Sequence, residues 1–190
     1  MSRVPPASKE SLPQDLRAAF DAMVESRGGL PRTGPVSVMI NSPEACRRAF
    51  HFSDYLRRES TLAPQVQELA MLVTARELDC QYVWNAHAAS GKKAGLSAEL
   101  VEALRDNKPL PPLKAEEAAV IAYGREFFRT HRVSRGAFQA AQEQFGVQGL
   151  AELTMLMGFY GMLAFHVNAF DVDLPAERME PLLPVQAWER

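Results

Sequence analysis

The sequence predicts an all-α, single-domain protein of about seven to nine helices. Three observations carry this expectation. Apolar residues recur at three- and four-residue spacing in most segments, and no run alternates apolar with polar residues as a half-buried strand would. Capping residues, prolines and glycines punctuate the chain at helix-length intervals. A chain of 190 residues can bury about 70% of its unfolded surface in one core, so it needs no disulfide or structural metal to fold.

Each element has its own signal. Ser11 with Gln14 reads as a capping box opening a helix to about Ser26. Gly28, Gly29, Pro31, Gly34 and Pro35 then read as a loop. Ser42-Pro43-Glu44 supplies a cap, a proline at the first helical position and an acid for the helix dipole, starting a helix to about Arg58. Pro64 opens the next helix, with Val66, Leu69, Ala70, Leu72, Val73 and Ala75 as its apolar positions. After a break near Asp79, a helix runs from about Cys80 to Ala94 and closes at Gly95. Ser97 caps another to about Asp106, and the proline-rich segment 107–113 is a linker. Helices follow over about Lys114–Thr130, Ser134–Phe145 and Val147–Phe170, and the proline-bearing tail is expected to wrap the surface or a neighbouring subunit. The organisation expected is an N-terminal helix and loop extension over 1–35, a helical domain over 36–175 and a C-terminal tail over 176–190.

Composition narrows the function classes. Apolar residues make up 47% and charged residues 23%, and 21 basic against 23 acidic side chains leave a net charge of −2. No basic run stands out, so nucleic acid is not an expected partner. Cys46 and Cys80 are too few for a disulfide framework, and no apolar stretch opens the chain; the expected location is the cytoplasm. Leu153–Phe170 carries no formal charge and approaches bilayer-spanning length. Gly158, Gly161, His166 and Asn168 interrupt it, and a helix buried by its own fold or by neighbouring subunits is the expectation, without a membrane.

The informative stretch is 68–95. At 100° per residue, Trp84 and His87 each fall within about 40° of Cys80, so the three share one helix face. If the two helices pack antiparallel about Asp79, Glu68 comes near His87, lying 11 residues before the break against 8 after it. A carboxylate beside an imidazole orients it and builds a general acid/base pair. Each residue also has a bland reading: Glu68 as a solvated acid, His87 as a core histidine, Cys80 as an inert buried thiol, Trp84 as packing. A thiol at a helix N-terminus would have its thiolate favoured by the dipole.

Glu68, Cys80-Gln81-Tyr82, Trp84, His87 and Gly95-Leu96-Ser97, followed by Gly158-Phe159-Tyr160, Asn168-Ala169-Phe170 and a proline a few residues on, resemble the carboxymuconolactone decarboxylase and alkylhydroperoxidase D-like family. The resemblance spans about Arg57 to Pro175. It implies an AhpD-like helical fold, homo-oligomers (trimers or hexamers) and no metal or organic cofactor. In the peroxidase branch two cysteines do the chemistry. Here Val83 occupies the second position, and Cys80 matches the resolving thiol. In the decarboxylase branch Tyr82, Trp84 and His87 match, while Val83 replaces an acid.

Three functions follow as expectations. The first is a cofactor-free lyase or isomerase acting on a small organic acid or lactone, with Glu68, Cys80 and His87 as the catalytic candidates. Tyr82 and Trp84 would line its pocket, and Tyr160 or Asn168 would steady a developing enolate. The second is a peroxiredoxin-type thiol antioxidant using Cys80, and the third a non-catalytic family member.

Overall fold

A computed structural model describes residues 2–178 and 180–185; the rest of the predicted tail, 179 and 186–190, lies outside them. Among the described residues there are eight α-helices and no strand: α1 (Arg17–Ser26), α2 (Pro35–Met39), α3 (Pro43–Arg58), α4 (Pro64–Glu77), α5 (Gln81–Lys93), α6 (Ala98–Arg105), α7 (Ala115–Thr130) and α8 (Arg135–Ala169). The fold is all-α.

Local chemistry accounts for most boundaries. Pro43 and Pro64 open α3 and α4 at positions whose amides have no intrahelical acceptor. Ser97 Oγ accepts from the Leu100 amide, and Ser134 Oγ from that of Ala137. Two differences from the sequence reading have clear causes. Ser11 bonds back to Ser8, and α1 starts only at Arg17 after a short 3₁₀ turn over Gln14–Leu16. Pro13 sits in an extended conformation with ψ of 147°, which a helix cannot run through. The glycine-rich loop gives way to α2 at Pro35, a five-residue helix too short to show periodicity. The two helical segments expected on either side of residue 146 are present within α8, which is broken at Gly146, whose φ of 67° is not helical.

The centre of the core is α4. Every residue from Val66 to Arg76 is buried, and α5, α6, α7 and α8 all pack against it. Such a helix has no solvent face, which is why Glu68 is withdrawn from water rather than solvated. Segments at both ends of the chain join the same core: Ala7, Leu12, Phe20 and Met23 from the N-terminal part, and Leu183 from the tail. The tail wraps its own chain, with the Leu183 carbonyl accepting from Gln81 Nε2 at 2.8 Å and that of Pro184 from Arg76 Nη1 at 3.0 Å. At the opposite end, the Arg3 amide donates to Phe170 O at 2.9 Å, and Arg3 Nη1 donates to Ala169 O at 3.1 Å. Both bonds serve carbonyls that the end of α8 leaves unpaired.

Helix α8 is long and apolar enough to cross a membrane by length and composition, with an 18-residue window of mean hydropathy 1.4, but 61% of that window is buried inside the fold. That is the pattern of a core helix. Ala151, Met155, Gly158, Phe165 and Ala169 form one exposed uncharged stripe along it, spaced by threes, fours and sevens. On its inner side α8 carries a buried acid, Glu152. Thr61 N, Thr61 Oγ1, Tyr55 Oη and Gln148 Nε2 all donate to its carboxylate, at 2.6 to 3.0 Å. Burial alone would push this carboxyl up, but these donors outweigh it and hold it at about 2. The tie between α8 and the α3–α4 turn therefore stands at all pH above the ordinary carboxylate range and loosens only as pH falls towards 2.

Candidate functional site

The α4–α5 hairpin turns at Asp79, whose φ is 50°. The Cys80 amide closes the turn by donating to Ala75 O at 2.8 Å. Antiparallel packing from this turn brings the second turn of α4 against the middle of α5. Gly91 lies one turn beyond His87 on the same face, and a Cβ there would stand 3.0 Å from Leu96 Cδ1 and 3.1 Å from Leu72 Cδ1. The missing side chain leaves these two leucines undisturbed where α5 packs against the turn that carries Glu68.

Four side chains from four helices meet as a result. Glu68 Oε2 and His87 Nδ1 are 2.8 Å apart, with side-chain exposures of only 8% and 12%. Arg57, in the last turn of α3, donates from Nη2 to Glu68 Oε1 at 3.2 Å and from Nη1 to Tyr160 Oη at 2.9 Å. The His87 and Tyr160 rings meet edge to face, with centroids 5.1 Å apart and an interplanar angle of 82°. Burial raises the Tyr160 phenol above its ordinary value; the Arg57 guanidinium pulls the other way and Glu68 adds to the rise.

A carboxylate accepts only, so His87 Nδ1 carries its hydrogen towards Glu68. Among the described residues, Nε2 has no hydrogen-bond partner and is not among the buried unpaired atoms. It is the ring nitrogen that the fold leaves uncommitted among the described residues. The tetrad therefore sets an imidazole against a buried carboxyl group, with a phenol beside it.

The remaining candidates make their contacts with other groups. Cys80 is the N-cap of α5 and is fully buried. Burial pushes its thiol up to about 11, outweighing the Val83 and Tyr82 amides that favour the thiolate. Cys46, also buried, is raised to about 11 by the same cause. Tyr82 is half-buried, and its hydroxyl lies so close to Gly34 that a Cβ there would be 2.4 Å from the oxygen. Trp84 is 1% exposed, and among the described residues its buried Nε1 has no partner, nor does Asn85 Oδ1 beside it. Asn168 Nδ2 donates to Leu78 O at 2.9 Å, tying the end of α8 to the end of α4. Among the described residues none of Cys80, Tyr82, Trp84 or Asn168 makes a hydrogen bond or ring contact with the tetrad. No group of three or more His, Cys, Asp or Glu among these residues is arranged to hold a metal ion. Arg57 was not among the sequence candidates; its only signal there is that the family resemblance begins at it.

Both thiols being sealed has a direct consequence. A thiol-reactive dye at pH 8 is expected to label neither cysteine in the native protein and both after unfolding. Rapid labelling of one native thiol, with an apparent pKa near or below the ordinary 8.5 or so, would restore the thiol chemistry.

Residues 43–124 match the model of the carboxymuconolactone decarboxylase family. Several solved structures share the fold. The alkylhydroperoxidase AhpD core of an uncharacterized peroxidase-related protein from Ralstonia eutropha JMP134 is 19% identical with a TM-score of 0.68, covering 92% of this chain and 93% of that one. An uncharacterized peroxidase-related protein from Silicibacter sp. TM1040 is 19% identical with a TM-score of 0.66, covering 93% and 92%. The apo debrominase Bmp8 is 15% identical with a TM-score of 0.68, covering 93% and 94%. No curated protein matches the chain. At these identities the likeness to solved structures concerns the fold alone.

Proposed function

We propose, from the match of residues 43–124 to the carboxymuconolactone decarboxylase family model and from the AhpD-like fold, a cofactor-free lyase or isomerase that moves a proton to or from carbon in a small organic acid or lactone. The observation that carries this reading is the 2.8 Å contact between Glu68 Oε2 and His87 Nδ1, both side chains largely withdrawn from water. Glu68 fixes the imidazole with Nδ1 protonated and stabilises the imidazolium formed when Nε2 takes the substrate's proton. The Tyr160 hydroxyl, its oxygen already held by Arg57, is the donor for the oxyanion that develops as the proton leaves. Asn168 is committed to Leu78 O, which leaves Tyr160 as the better of the two donors expected on α8.

The test is hydrogen–deuterium exchange at carbon. Lactones and unsaturated or 2-oxo acids are incubated with the protein in D₂O, and loss of the C–H signal is followed by proton NMR. Enzyme-dependent exchange or decarboxylation of at least one class, dependent on His87, is expected; its absence across the panel removes this reading. A thiol antioxidant acting through Cys80 receives less support, because burial opposes the thiolate and Val83 stands where a second sulfur would be needed.

The same reading includes assembly in the cytoplasm. The uncharged stripe through Ala151, Met155, Gly158 and Phe165 offers itself to further copies of the chain. Light scattering is expected to return a multiple of 21.1 kDa, as a trimer or hexamer; a mass near one chain would remove the assembly.

A further inference from the structure

A guanidinium has five N–H donors and no acceptor, so every atom it touches must accept. Arg57 touches two such atoms, Tyr160 Oη and Glu68 Oε1, and each contact fixes the direction of a neighbouring proton. Glu68 takes one bond from Arg57 at Oε1 and has Oε2 left for His87 Nδ1. With Glu68 ionised beside this cation and the imidazole neutral, the hydrogen between them comes from His87, leaving Nε2 with its lone pair. At the other arm, the Tyr160 oxygen accepts from Nη1, so the phenol's own hydrogen points away from Arg57. Among the described residues it is given to no protein acceptor. One cation thus orders a chain whose two ends differ in kind: a lone pair on His87 and an O–H on Tyr160, in rings whose centroids are 5.1 Å apart.

We propose that Arg57 is a positioning residue that sets the proton direction at both ends of this chain, making His87 Nε2 the acceptor and the Tyr160 hydroxyl the donor towards one bound molecule. This rests on the proton-transfer reading of the site. The bland account is that Arg57 is a basic residue in the last turn of α3, where any cation favours the helix dipole. Its forked reach argues against that account. Two donors go to two different helices, to side chains that are 8% exposed in one case and buried in the other, whereas a dipole-complementing cation needs neither partner.

The experiment reads the resting protein, without substrate. Histidine labelled with ¹⁵N is incorporated into the wild type, Arg57→Gln and Arg57→Lys, with His87→Gln assigning the signal. The wild type is expected to show a single neutral tautomer, Nδ1 protonated and Nε2 bare. In Arg57→Gln the carboxylate loses its anchor, and the Nε2-protonated tautomer that free imidazole favours in water gains population. In parallel, phenolate absorbance assigned with Tyr160→Phe should show Tyr160 ionising at higher pH in Arg57→Gln, because the lowering influence of the guanidinium is gone. Should Arg57→Gln fail to fold, Arg57→Lys carries the same test, since one ammonium cannot serve both acceptors in fixed geometry; smaller changes in the same directions are expected. An unchanged tautomer or an unchanged Tyr160 ionisation overturns the proposal and leaves Arg57 as a helix-end charge. Neither readout requires turnover. A protein that passes both yet exchanges no proton at carbon would sink the lyase reading while keeping the ordered chain.

Discussion

Glutamine in place of His87 is expected to slow proton exchange at carbon by about 10²–10⁴-fold, or roughly 3–5 kcal/mol of barrier, the usual contribution of a positioned acid–base group. The substitution is chosen for its neutrality elsewhere. A glutamine amide can still donate to Glu68 Oε2 and fill much of the imidazole's space, so the buried carboxylate keeps a partner. What disappears is the basic lone pair at Nε2. Glu68→Gln is expected to fall in the same range for a different reason: an amide can donate as well as accept, so the tautomer of His87 is no longer dictated. Both variants should melt within a few degrees of the wild type. Rates equal to wild type in His87→Gln, measured by the same NMR assay, would remove His87 from the chemistry.

The largest stability effect is expected at Trp84. It is 1% exposed and among the largest fully buried side chains of the core, so Trp84→Ala should cost about 3–5 kcal/mol through lost burial and a residual cavity. For a chain of this size that corresponds to a melting midpoint lower by on the order of 10 °C. Trp84→Phe is the sharper comparison. It removes a buried N–H that has no partner among the described residues, and an unpaired buried donor costs about 1–3 kcal/mol by itself. The volume lost and the donor removed then act in opposite directions, and Trp84→Phe should lie near neutral. A loss close to that of alanine, by urea or thermal unfolding, would show that Nε1 has a favourable partner.

These expectations divide between what the sequence revealed and what it did not. The meeting of Glu68 with His87 was legible because hairpin geometry is local. Counting outward from Asp79 leaves the two residues three positions out of step, about 4.5 Å along a helix, within reach of a glutamate side chain. The break at Gly146 and the starts at Pro43, Pro64, Ser97 and Ser134 were legible for similar reasons, since each depends on a few adjacent residues. Arg57 was not. It lies on a different helix from Glu68, across the turn over 59–63, and nothing in its own neighbourhood distinguishes it from any basic residue at a helix end. Tyr160 and Asn168 stood as equals in the sequence, yet eight residues place them about 80° apart around the helix and about 12 Å apart along it. They therefore serve different neighbours, one in the tetrad and one at the end of α4. The buried state of Glu68 was also hidden, because it reflects the encirclement of α4 by four other helices.

The bonds from Arg3 to Ala169 and Phe170 close a ring of more than 160 residues, nearly the whole polypeptide. A helix tip ordinarily unravels alone, because the carbonyls it exposes are as content with solvent as with a partner. Here the final turn of α8 can open only if an arm from the far end of the chain releases it, and ordering that arm has already restricted a very long loop. Fraying at this tip is thereby linked to release of the segment around Arg3, which grips from behind the helix that carries the phenol.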